Sequence, residues 1–250
     1  MEKQKVIVYV DGFNFYYGLK HSWRWRRYYW LDMVRFFELG LKENQELVAV
    51  KYFSAIPDDE IKQKNQDAFF QANKQNAKFQ LILGKYLRKE IICRNCGYTI
   101  RTYEEKESDV RIATQVVSDA YKKNCDISIV VSADSDMIPA VELAMEAKHR
   151  VFVYFPPNHY SSDLNTITGG AVFLSRYEKR FKQSLLPDVI HLDKYDYNLH
   201  IPEKWKQYRR DKRANKILMF LFCVFVICVK NCNNVNCFSQ MMHFLFNFVG

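Results

Sequence analysis

The stretch ISIVVSADSDMIPAVELAMEAKHRVFVYF, residues 127–155, passes from one short β-branched run to another through a helical pattern. Ile127 to Ser132 and Val151 to Phe155 are short, apolar and rich in residues that favour buried strands. Asp136 to Lys148, between them, has helix-compatible composition and opens on an acid, which suits the positive end of a helix dipole. Strand, helix and strand in that order make a crossover, and crossovers build parallel sheets. Outward from this unit the alternation continues. Further strands are expected at Val6 to Val10, Leu47 to Ile56 and Phe79 to Leu87, and further helices at Asp32 to Leu41, Asp58 to Asn76, Asp109 to Lys122 and after Ser161. The fold class that follows is α/β, a three-layer α/β/α, Rossmann-like domain with a mostly parallel central sheet covered on both faces.

With 250 residues, 48% hydrophobic and 26% charged, the chain can bury one sizeable core. The expected main domain spans 1–195. Within it Arg88 to Glu107, RKEIICRNCGYTIRTYEEKE, has two β-like stretches around CRNCG and is expected to leave the sheet as a hairpin-like insertion, 88–107. From 196 to 250 the character changes, with a basic run, EKWKQYRRDKRANK, leading into an apolar one. Ile217 to Val229 gives thirteen apolar residues, short of the ~20 that a spanning helix needs. The basic residues before it would still suit an anionic membrane surface. At the other end, Asp11 interrupts the first apolar run and no small-residue cleavage site follows, so that run is expected to be a strand and not a signal peptide. Seven cysteines without a framework spacing fit a reducing cytoplasm. The net charge of +9 favours polyanionic partners, nucleic acid or anionic lipid, without choosing between them.

The chemistry is in the acids. Asp11 ends the first expected strand, Asp134 and Asp136 follow the strand ISIVVSA, and Asp109 opens the helix DVRIATQVVSDAYKK. In that helix Val110, Ala113, Val116, Val117 and Ala120 are expected to face the sheet. Open parallel sheets bind ligands beyond the carboxyl ends of their strands, so acids there can aim into one crevice. Carboxylates gathered without balancing lysines repel one another, and a divalent cation relieves this. Oxygen ligands favour Mg²⁺ or Mn²⁺, and such a centre can activate water and stabilise charge on a phosphodiester. A single Asp after a strand is more often a turn former or helix cap, and Asp136 partly fits that role.

The run VIVYVDGFNFYYGLK resembles the opening of NYN domains, where a strand ends in D-G-x-N. Three further blocks are similar to the family: YEEKESDVRIATQVVSDAY, SIVVSADSDMIPAVELAMEAKHRVFVYFP and the SLLPD stretch near Ser184. The resemblance covers about residues 4 to 190 and is closest to the LabA-like branch. It implies a fold like that of PIN nucleases and Mg²⁺- or Mn²⁺-dependent RNA cleavage, with one or two ions. Asp11, Asp109, Asp134 and Asp136 match its metal-binding carboxylates, Asn14 the polar residue beside the first strand, and Ser132 a small polar position that equally reads as a turn residue.

Other signals are weaker. HSWRWRRYYWLD interleaves cations with rings, as a single-strand grip would, and assigns Arg24, Arg26 and Arg27 to RNA contact, with Trp30 and one tyrosine expected in the core. Lys106 could meet a phosphate or sit in a solvated loop. Cys93 and Cys96 have zinc-knuckle spacing but lack a second pair, so Cys125, His149 or a second subunit of a homo-oligomer would have to complete the four ligands. None of the six histidines has a catalytic setting. Two rivals stay open: a non-catalytic RNA-binding or regulatory module, and another phosphoryl-transfer enzyme, although the latter's Asp-x-Asp after the first strand is here D-G-F-N.

Overall fold

The computed structural model describes residues 2–92 and 95–209, without the side chains of 85–92 and 100–106. In chain order the elements are β1 (Gln4–Asp11), α1 (Gly12–Lys20), α2 (Trp23–Arg26), α3 (Met33–Glu38), β2 (Gln45–Ser54), α4 (Glu60–Asn73), β3 (Phe79–Leu83), β4 (Lys85–Ile92), β5 (Thr99–Lys106) and α5 (Ser108–Tyr121). They continue as β6 (Ile127–Val131), α6 (Ile138–Glu146), β7 (Arg150–Phe155), α7 (Ser162–Ile167), β8 (Val172–Phe173), α8 (Glu178–Gln183), β9 (Val189–Leu192) and β10 (Tyr197–His200).

A six-stranded sheet in the order β3-β2-β1-β6-β7-β8, parallel at every pairing, is flanked by helices in a three-layer α/β/α arrangement. β1 lies in the middle and is buried along Val6–Val10, as a strand covered on both faces must be. From β1 the chain builds outward through β2 and β3, then returns to β1's other side for β6, β7 and β8. The order of building therefore reverses at the β1/β6 seam, where Val10 lies beside Val131. Crevices open at such switch points.

Between β3 and α5 the chain leaves the sheet as an antiparallel hairpin, β4 with β5, with Lys85 opposite Lys106. The excursion begins three residues earlier than its expected start at Arg88, because Gly84 already breaks the strand expected to run to Leu87. The first compact unit extends to Lys206, beyond the expected boundary at 195. β10 pairs with β9, Leu199 and Ile201 are buried, and the Trp205 ring packs 5.4 Å from that of Tyr29. The apolar stretch Ile217 to Val229 and the rest of the expected tail beyond Arg209 lie outside the described residues. No described helix is long and apolar enough to cross a membrane.

Helix α5 buries Val116 and Ala120 as expected and leaves Ala113 and Val117 half-buried, but its inward face is shifted away from Val110. Ser108, Ile112, Val116, Asp119 and Ala120 are buried, whereas Val110 is exposed. The cause is Asp119. Its carboxylate accepts the Tyr9 hydroxyl at 2.7 Å, the Lys51 ammonium at 2.5 Å and the Asn124 amide at 2.8 Å. Burial opposes ionisation of Asp119, but Lys51, Asn124 and Tyr9 outweigh it and hold the carboxyl below its ordinary range. Burial raises the Tyr9 hydroxyl far above its ordinary value, so it stays a donor.

A buried charge stripped of its partner is costly, so Asp119→Ala should destabilise by about 3–5 kcal/mol in urea unfolding. Replacing both partners, Asp119→Leu with Lys51→Met, should recover much of the loss. The folded carboxyl lies below its unfolded value, so its contribution is present above that value and fades as pH falls through the folded one. The gap between wild type and Asp119→Asn should therefore narrow below about pH 4.

Candidate active site

Asp11 is the last residue of β1 and the N-cap of α1, so strand passes into helix without a loop. This helix was not expected from the sequence, which placed the first one at Asp32. One carboxylate oxygen of Asp11 accepts the Asn14 backbone N–H at 2.9 Å. The other accepts the Ser132 hydroxyl, from the end of β6, also at 2.9 Å. Ser132 Oγ in turn accepts the Asp134 N–H at 3.1 Å, and Asp134 Oδ1 accepts the Asp136 N–H at 3.0 Å. The two strand ends at the switch point are thus tied by one chain of hydrogen bonds through Asp11. The capping role weighed for Asp136 belongs to Asp134, which opens the 3-10 turn Ser135–Met137.

Asn14 joins a third segment to this seam. Its Oδ1 accepts the Ala133 N–H at 3.1 Å and faces His159 Nδ1 at 2.8 Å. With the amide oxygen anchored by a backbone donor, His159 must carry its proton on Nδ1. Burial, and then the nearby His21, lower the His159 pKa, favouring the neutral ring. His159 reaches Asn14 because the loop after β7 presses on α1 at Gly18, where a Cβ would lie 2.6 Å from the Pro157 carbonyl oxygen. Asn158 also donates to Gly18 O at 2.8 Å. Sequence inspection assigned His159 no role. Its position just past the carboxyl end of a parallel strand was the available signal.

Asp109 lies in the exposed first turn of α5. Partial burial raises its pKa, followed by the charges of Asp134 and Asp136. Asp11 is pushed up to about 6, first by burial, with Asn14 and Ser132 pulling down and Asp109 and Asp134 pushing up. Asp109 thus feels Asp134 and Asp136, and Asp11 feels Asp109 and Asp134; among the described residues none of the four forms an ion pair with lysine or arginine. Among those residues, no three His, Cys, Asp or Glu side chains stand close enough to hold a metal ion as they are. The chemistry of the donor set nonetheless fits a hard divalent cation, since hydroxyl and amide hydrogen bonds leave the negative charge uncompensated.

The residues expected to grip RNA are differently placed. Trp25, Tyr28, Tyr29 and Trp30 are all buried, not two of them, and Phe181 meets Trp25 and Tyr28 at 5.2 Å each. Arg24 pairs with Glu178, which also accepts the Tyr28 hydroxyl at 2.8 Å. Burial opposes ionisation of Glu178, but these bonds take its pKa to about 2. Arg26 donates to Lys20 O at 2.9 Å, and Arg27 Nε is buried without a hydrogen-bond partner among the described residues. The segment thus ties α2 to α8, with Trp23 and Arg24 left on the surface. The side chain of Lys106 and all of Cys93 lie outside what is described. Cys96 is exposed, whereas Cys125 is buried with Ser128 Oγ at 3.7 Å and His149 Nε2 at 3.9 Å.

A parallel α/β sheet with acids across its switch point defines the class, and comparison with known proteins identifies it. The NYN domain matches residues 5–173, and the chain belongs to that family, within the PIN-like nuclease superfamily. It is also similar to 6-hydroxy-3-succinoylpyridine 3-monooxygenase HspA of Pseudomonas putida (strain DSM 28022 / S16), 26% identical over 202 residues. That match covers 66% of this chain and 64% of the relative, so the chain spans less than two thirds of the relative's length.

The raised Asp11 value has a measurable consequence. A carboxyl that holds its proton more tightly when folded contributes its stability below the unfolded value and loses it as pH rises through the folded one. In EDTA at pH 7.5, Asp11→Asn should raise the unfolding midpoint, an effect of roughly 2–3 kcal/mol. At pH 4 the gain should vanish.

Proposed function

We propose that this chain is a metal-dependent nuclease that hydrolyses phosphodiester bonds in single-stranded RNA at the cluster Asp11, Asp109, Asp134 and Asp136. What supports the proposal is that Asp11 and Asp134 are linked through Ser132 at the β1/β6 switch point, that Asp109 feels the charges of Asp134 and Asp136, and that none of the four acids has a lysine or arginine partner among the described residues. Membership of the NYN family supports RNA as the substrate class. Asp11, Asp109, Asp134 and Asp136 would hold one or two Mg²⁺ or Mn²⁺ ions, with small adjustments of side chains now engaged in turns. A bound divalent ion supplies Lewis acidity toward a phosphate and makes water a better nucleophile.

The protein's own groups have separable tasks. The Ser132 hydroxyl and Asn14 N–H fix the orientation of Asp11 and favour its ionised form, which ion binding requires. Asn14, held by Ala133 and His159, keeps α1 in register with the turn carrying Asp134. Asp109 closes the crevice from the α5 side, and Asp136 lies at its exposed lip. Zinc at the cysteine pair is left aside, since Cys93 lies outside the described residues, while Cys125 and His149 meet each other and Ser128.

The test is cleavage of end-labelled single-stranded RNA in Mn²⁺, Mg²⁺ or EDTA by wild type and Asp134→Asn. Wild type should cut only with metal. The variant should lose at least about a hundredfold in rate, since the ion's charge stabilisation amounts to several kcal/mol, while RNA affinity is retained. Tight binding by wild type with no cutting of RNA or DNA under any metal would instead establish the non-catalytic RNA-binding module.

A further inference from the structure

On the other side of β1 from the acids, at the carboxyl ends of β1 and β2, there is a cavity of about 190 Å³. Two helices supply walls of different chemistry. From α1 come Phe13, Tyr16, Tyr17 and Lys20, and from α4 come Lys62, Asn65, Gln66, Phe69 and Phe70. The α4 set follows the spacing of one helix face, and Phe15 and Leu19 complete the α1 wall. The α1 wall is aromatic, with Tyr16 stacked on Tyr29 at 5.1 Å and Lys20 Nζ 5.0 Å from the Tyr17 ring centre. The α4 wall is polar toward its rim. The Gln66 amide nitrogen is engaged by Ser54 Oγ at 2.9 Å and Ala55 O at 3.1 Å. The side chain of Asn65, half-buried, makes no hydrogen bond among the described residues. Gly12 forms part of the lining. A Cβ there would lie 2.4 Å from Phe53 O and 2.6 Å from the Tyr52 ring, so the residue next to Asp11 has to be glycine.

We infer that this cavity is a subsite for one base of the strand whose phosphate meets the acids. The inference rests on the nuclease reading for its polarity. The volume is below the ~300 Å³ at which sites for drug-sized ligands begin, and it suits a single planar heterocycle. Aromatic rings accept a base by stacking, and a side-chain amide with both donors and an acceptor can read a base edge. Lys20 and Lys62 at the rim are suited to flanking phosphates. Asp11 and Gly12 are adjacent residues, so the base subsite and the acids lie on neighbouring seams of the sheet. The cavity thus makes cleavage depend on which base enters, while the acids act on a backbone common to all.

The test uses the full chain carrying Asp134→Asn, so that RNA stays intact, and short single-stranded RNAs with 2-aminopurine at successive positions. Quenching at one position only is expected. Adding Asn65→Trp, which fills the cavity from its rim, should remove that quenching and weaken binding about tenfold, with thermal unfolding unchanged to show that the fold survives. Quenching spread evenly along the RNA, or unaffected by Asn65→Trp, overturns the subsite. So does position-specific quenching abolished by millimolar nicotinamide while the RNA stays bound, because the cavity would then be a small-molecule site. In wild type, cutting without position-specific quenching in the variant would sustain the nuclease and sink the subsite. Position-specific quenching with no cutting under any metal would sustain the subsite and sink the nuclease.

Discussion

Asp119 brings a charged carboxylate into the seam between α5 and the sheet, and the arrangement of the acidic crevice depends on its being met there. Lys51 from β2 and Tyr9 from β1 both reach it, so one residue of the helix is bonded to two neighbouring strands. An apolar helix face can slide by a turn at modest cost, since many side chains pack acceptably against valine and isoleucine. A buried ion pair cannot, because each partner displaced into the core would remain charged and unsolvated. The pair therefore fixes the rotation and height of α5. Asp109, near the other end of that helix, inherits its place at the crevice from a bond made beneath the sheet's surface.

The crevice itself combines two demands on the same groups. Asp11 and Asp134 hold turns together, accepting backbone N–H groups as N-caps do. They are also the charges that the surroundings leave uncompensated. Capping keeps each side chain in one rotamer, so the negative charge at the seam stands in a fixed place although it has no lysine or arginine beside it. Ser132 and Asn14 serve both strand ends at once, which is why the seam closes around the acids with so few residues.

How much of this could be read beforehand follows from what a linear pattern contains. The strands of the sheet's centre were legible because buried parallel strands are plain apolar runs, and the positions of Asp11, Asp134 and Asp136 followed from where those runs stop. The helix after Asp11 was not, since GFNFYYGLK has a glycine at its start and another near its end and a ring-rich composition of ordinary helix propensity. Asp119 had no place in the expected helix face, because lone acids are seldom buried and its partner Lys51 lies sixty-eight positions away. The arginine and ring segment shows the same limit. Interleaving says that cations and aromatics alternate, but not that Trp25 and Tyr28 turn inward onto Phe181 while Arg24 finds Glu178. His159 meets Asn14 across 145 positions, a distance at which local spacing carries no information.

The β4–β5 hairpin gives the molecule a mechanical property. Each arm is eight residues long, about 26 Å of strand at ordinary rise, and the second arm runs into α5 with Glu107 alone between them. Glu107 has φ 77°, a left-handed conformation that costs a residue with a side chain about 1–3 kcal/mol. The hairpin is thus a long lever whose fulcrum is a strained residue two positions from Asp109. On the other side the hairpin is held by the Gly84 N–H donating to Ser54 O at 2.8 Å, while the buried ion pair fixes the far end of α5.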